Sequence, residues 1–134
     1  MALVVPSAQK QLNLTAWIAL HTPWALKLFG NNATPSDTSV VGDFTEIAGA
    51  GYVGVSLAAV SWTISIATPS IASYAALSFI FTGAINAPGT IYGYFIVDAI
   101  GGLVLAERLA SPPFTPAVNG DAVIVTPRIA LADM

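Results

Sequence analysis

One histidine, one close pair of carboxylates and one glycine-rich hexapeptide are the groups with which this chain could do chemistry. His21 lies in "HTPW", beside Thr22, Pro23 and Trp24. A nucleophilic relay or a metal site needs suitable partners held around the imidazole. The chain has no Cys, so thiolate chemistry and disulfides are excluded. His21 therefore reads as a loop histidine without a catalytic part. Asp43 and Glu46 are the nearby carboxylates. In a strand, a spacing of three sends them to opposite faces, where they share neither a proton nor a sugar-sized cleft. "GAGYVG", Gly49 to Gly54, spells the letters of a dinucleotide fingerprint. That fingerprint has to follow a strand, open a helix and meet an acid about 20 residues later. The residues that follow, "VSLAAVSWTISIA", carry strand chemistry, and the next acid is Asp98. These glycines read as a turn and a bulge. No catalytic residue, cofactor-binding residue or metal ligand is assigned, and the chain reads as a non-enzyme.

The remaining groups are suited to contact. Glu107 and Arg108 sit in an apolar strand, and a weakly hydrated guanidinium fits paired contacts between subunits. Tyr92, Tyr94 and Phe95 are aromatic neighbours that form either a sugar platform or, more commonly, core or oligomer interface. The glycosylation-type triplets at Asn13 ("NLT") and Asn32 ("NAT") read as chance matches, because the start "MALVVPSAQK" lacks the basic and long apolar regions of a secretory signal.

Charge is the most informative property. Charged residues make up 8% of the chain, against about 25% in an ordinary soluble domain. Apolar residues reach 55%, so charge has given way mainly to small uncharged residues. No Lys, Arg, Asp or Glu occurs between Ile47 and Val97. The formal net charge is −3, and four basic residues are too few for a nucleic-acid footprint. Interface cores are depleted in charge, so this composition predicts close contact with other protein surfaces and self-association.

Such a sequence invites a membrane reading for "TIYGYFIVDAIGGLVLAERLA", Thr90 to Ala110. A spanning helix needs about 20 mainly apolar residues, and an acid near its centre costs roughly 2.5–3.5 kcal/mol. Asp98, followed by Gly101 and Gly102, instead predicts a hairpin turn between two strands. On the right arm, strict alternation would put Leu103, Leu105, Glu107 and Leu109 on one face and Val104, Ala106 and Arg108 on the other. Strands are expected near 24–29, 43–48, 52–57, 61–67, 72–82, 90–97, 103–110 and 121–131, with Pro127 at an edge or bulge. This predicts an all-β fold: a β-sandwich or jelly-roll-like Greek-key barrel of about eight strands. Residues 1–20 form an N-terminal arm or short helix, and 21–134 form one β domain. In the helical form Ser7 is the cap and Leu12, Ala16 and Ile18 or Ala19 share a face. The apolar start Leu3, Val4 and Val5 is kept out of regular structure by Pro6, and is expected to dock on a neighbour.

"LKLFGNNATPSDTS", "FTEIAGAGYVGVSL", "FTG", "TIYGYFIV", "LVLAERLA" and "GDAVIVTPRIAL" together resemble a group of small virion proteins of tailed bacteriophages, cyanophages among them. The resemblance runs over about Leu26 to Leu131, and "YGYF…LAER" is its most specific part. It implies a virion structural component. Among such components, the low charge and the apolar start fit a capsid decoration (cement) protein on the outer surface of the phage head. Its partners would be the major capsid protein and itself, as a homotrimer by the usual form of that role, with neither nucleic acid nor membrane. The candidate interface residues are Leu3, Val4, Val5, Tyr92, Tyr94, Glu107 and Arg108. Other readings are a tail or fibre module that binds a host glycan, and a small holin-like membrane protein.

Overall fold

The computed structural model describes residues 6–21, 23–65, 70–110 and 112–131. The candidate contact residues Leu3, Val4 and Val5 lie outside them. Nine strands in three antiparallel sheets and one N-terminal helix make up the described chain. The fold is all-β and sandwich-like, as the alternation predicts, with the helix form of the N-terminal segment.

The helix α1 spans Ser7–His21. Ser7 is its first residue rather than its cap: the Pro6 carbonyl accepts the N–H groups of Gln9 (2.9 Å) and Lys10 (3.0 Å). Pro23, two residues past the end, blocks continuation. Its inner face is not the expected one. Lys10, Leu14 and Ile18 are buried, whereas Leu12, Ala16 and Ala19 are exposed. Apolar residues occur all round the helix, so the sequence alone gives its face no preference. α1 packs on β3 (Thr63–Ser65), on β4 (Ser70–Ser73) and on the short 3₁₀ turn Ala59–Ser61.

The largest sheet has the order β2-β1-β6-β7, with β1 at Trp24–Phe29, β2 at Val55–Leu57, β6 at Gly93–Val97 and β7 at Leu103–Arg108. The expected hairpin is present. Oδ1 of Asp98 accepts the N–H of Ile100 (3.0 Å) and of Gly102 (2.8 Å), and Gly101 takes the left-handed φ of +87°. An Asx-type turn of this kind needs a short acceptor and a residue without a Cβ. A bulge follows between Ile96 and Val97, which face Leu105 and Leu103. It overturns the expected alternation. Leu103 packs with Ala106 on one face, while Val104, Leu105 and Leu109 reach the other.

β4 pairs with β3 and with β9 (Arg128–Leu131), and β5 (Leu77–Ile80) pairs with β8 (Ala122–Val125). The two long segments expected as single strands, 72–82 and 121–131, each divide between two sheets. Pro127 separates β8 from β9, and its carbonyl accepts the Tyr74 N–H at 3.0 Å. A proline cannot donate to a ladder, so pairing stops and restarts around it. Residues 43–48 do not form a strand. Only Glu46 bridges to Phe29 there, after a 3₁₀ turn at Val41–Asp43.

Two apolar clusters flank the large sheet. Trp24, Leu26, Leu28, Tyr94 and Ile96 face the helix and the smaller sheets. Phe29, Phe95 and Val97 face Phe44 on the other side, with Phe44 and Phe95 stacked at 5.6 Å. Covered on both faces, β6 has every residue buried. An aromatic chain ties α1 to the sheets: Trp17 to Trp24 at 5.2 Å, Trp24 to Trp62 at 5.7 Å and Trp62 to Tyr74 at 5.2 Å.

Candidate functional site

The residues with chemical potential are separated and held by structural partners. His21 is not in a loop but at the C-terminal end of α1, where Nδ1 donates to the Trp17 carbonyl at 2.8 Å. Asp43 turns back on its own 3₁₀ turn and accepts the Val40 N–H at 2.9 Å. Glu46 faces Lys27 (3.3 Å) and accepts the Tyr52 hydroxyl (3.0 Å). The two carboxylates thus serve different partners, though not for the expected reason, since they share no strand. In "GAGYVG", Gly49, Ala50 and Gly51 all have positive φ (93°, 51° and 78°), and Tyr52 N–H closes the turn on the Gly49 carbonyl at 3.0 Å. A strand follows, β2, rather than a helix. Gly49 is confined further by Asn86, whose Oδ1 lies 2.5 Å from where a Cβ would stand.

The aromatic trio does not make a platform. Tyr94 and Phe95 are buried on opposite faces of β6, and Tyr92 lies under the Arg108 guanidinium at 5.5 Å. Arg108 also donates to Asn32 Oδ1 and to the Ala33 carbonyl, each at 2.8 Å. Its guanidinium therefore fastens the 31–33 loop to the hairpin. Asn13, the other triplet residue, accepts from Gln9 at 3.0 Å. Glu107 accepts the Tyr94 hydroxyl at 2.6 Å. Burial, reinforced by that carboxylate, raises the Tyr94 phenol above its ordinary range. Burial also raises Tyr52, against a smaller lowering by its bond to the Leu28 backbone. Among the described residues no group of three or more His, Asp or Glu side chains could hold a metal ion.

What remains for function is the surface. Exposed apolar side chains fall in several regions: Val60 (93% exposed) beside the helix, Leu20 and Ile100 at the hairpin end, and Val53, Ile80 and Ile124 around the β5–β8 ribbon. A groove of roughly 370 Å³ runs between α1 and the 59–64 segment, lined by Ile18, Ala19, Val60 and Trp62. The one charged residue of α1, Lys10, is only 2% exposed, so the outer side of that helix presents Leu12, Thr15, Ala16, Ala19 and Leu20 to solvent. A surface helix ordinarily places its charges outward. Composition had signalled a charge-poor surface; the inversion of α1 was not legible, because one lysine in fifteen residues carries no periodicity.

No family model, no curated protein and no solved structure matches this chain.

Proposed function

We propose that this chain is a non-enzymatic virion structural protein, a capsid decoration protein that binds between major capsid protein subunits on the outside of a phage head and stabilises it. The observation that carries the reading is the uncharged, partly apolar surface on α1 and the 59–64 segment. Covering such a surface with a neighbouring protein releases about 25 cal/mol for each Å² of apolar area removed from water. Many copies on one shell would add these contributions against the outward pressure of packaged DNA. The resemblance of "YGYF…LAER" to tailed-phage virion proteins supports a virion structural role. A glycan-binding tail module finds less support, since Tyr94 and Phe95 are buried back to back. No helix among the described residues is long and apolar enough to cross a membrane.

The test is reconstitution. Purified protein is added to heads that lack it, and bound copies and heat resistance are measured. Saturable binding with a higher rupture temperature is expected. Absence of binding to heads, or binding to tails alone, contradicts the proposal.

A further inference from the structure

We propose that the outer face of the β5–β8 ribbon is where two copies of this chain meet, each through the same face. The inference rests on the reading of the chain as an assembling shell component, and adds the surface it assembles by. β5 and β8 pair only with one another, so each has an outer edge that no other described strand covers. Natural sheets guard such edges with lysines, prolines, inward charges or bulges. "LSFI" and "AVIV" contain none of these residues, and their register is continuous.

The side chains alternate. Phe79, Val123 and Val125 are buried, and Ser78, Ile80, Ala122 and Ile124 point out, with Ile80 and Ile124 each 66% exposed. A cleft lies along each edge. Beside β5 it is bounded by Val53, itself 73% exposed, and its end is tied by the Thr82 N–H to the Ala50 carbonyl at 3.0 Å. Beside β8 it is bounded by Leu109 and Phe114. Neither cleft is lined by any charged side chain.

Charge selects the occupant. Each copy carries a net −3, so copies repel through the parts that bear it. The ribbon face is free of charge and is where two copies can approach. In a same-face contact every group near the axis meets its own twin, which suits uncharged groups and penalises charged ones. A strongly acidic or basic partner would instead leave its own charges desolvated and unpaired here. Ile80 and Ile124 project beside two uncharged recesses, so each copy offers its twin both a projection and a recess. This contact makes a pair; a three-fold assembly would use a second surface.

Sedimentation equilibrium on the full chain tests the proposal. The unaltered protein should pair at micromolar concentration. The double variant Ile80→Lys, Ile124→Lys should keep its circular dichroism and melting curve, because both side chains are largely exposed. Its dissociation constant should rise roughly 100-fold or more. Val60→Lys, in the groove beside α1, should pair as the unaltered chain does. Since the chain has no Cys, Ala122→Cys treated with a bifunctional maleimide should give a linked pair, and Thr38→Cys should not. A monomeric unaltered protein, a double variant that pairs normally, or equal linking through Thr38→Cys and Ala122→Cys overturns the inference. Pairing by this face in a protein that does not bind heads would leave the inference standing and remove the proposed function.

Discussion

The hydroxyl of Tyr52 accepts the backbone N–H of Leu28 at 3.0 Å, 24 residues away in the chain. β2 covers the edge of β1 only as far as Leu26. Beyond it, Leu28 points its N–H and its C=O to the same uncovered side. Tyr52 takes the first, and the Ile47 N–H takes up the second at 3.1 Å. One phenol thus replaces a missing strand residue, while donating its own proton to Glu46. Tyr52→Phe should leave a part-buried N–H without its partner and cost about 1–3 kcal/mol. Urea unfolding, with an unchanged m-value, measures it.

Gly93 offers a sharper contrast. A Cβ there would collide with the Glu107 carbonyl and stand 2.6 Å from Phe29 Cζ. The sheet can accept it only by moving both β7 and the Phe29 ring. Gly93→Ala should destabilise by about 1–3 kcal/mol, the usual cost of overpacking. Gly42, with nothing within 4 Å of its would-be Cβ, should tolerate alanine to within about 0.5 kcal/mol. Paired thermal melts of the two variants give the comparison.

At the hairpin turn the acceptor matters more than the charge. Asp98→Ala loses both bonds that Oδ1 accepts and should cost about 1–2 kcal/mol, as loss of a capping side chain does. Asp98→Asn keeps a carbonyl oxygen in the same place and should recover most of that loss. Equal unfolding midpoints for the two variants would show that the turn does not depend on Oδ1.

The protein should lose stability at both ends of the pH scale, for different groups. Bonds from the Ala117 and Val118 N–H groups hold the Asp121 carboxyl below its ordinary value of 3.8. Its contribution is present above that value and is lost as pH falls through the lowered one. Asp121→Asn should remove this part of the acid limb. Tyr52 and Tyr94 lie above the ordinary phenol value of 10.0, chiefly because they are buried. The unfolded chain releases those protons first, so stability should fall as pH rises past 10. Absorbance of phenolate should show at least two of the four tyrosines resisting titration until the fold opens.

Much of this fold is written locally. The Asp98–Gly102 turn, the early strand "WALKLF" and the helix after Pro6 depend on neighbouring residues, and each is where its residues predict. The departures depend on distant ones. The bulge at Val97 moves Leu103 to the opposite face, and no single arm of a hairpin records that. Segment 43–48 has strand-like residues, yet a 3₁₀ turn held by Asp43 occupies its start. Lys10 reads as a surface residue by type and is buried by the way α1 lies on β3 and β4. At the surface, composition exposed the lack of charge, but only the pairing of β5 with β8 brings Ile80 and Ile124 onto one face. Glu107 and Arg108, singled out for subunit contacts, make intramolecular bonds that a linear reading cannot locate.

Electron microscopy of an intact virion tests the central claim most directly. Density for this chain is expected on the outside of the head, between major capsid protein subunits, with the surfaces around Val60 or Ile124 covered by neighbours. Density at the tail, or particles without this protein, would contradict it.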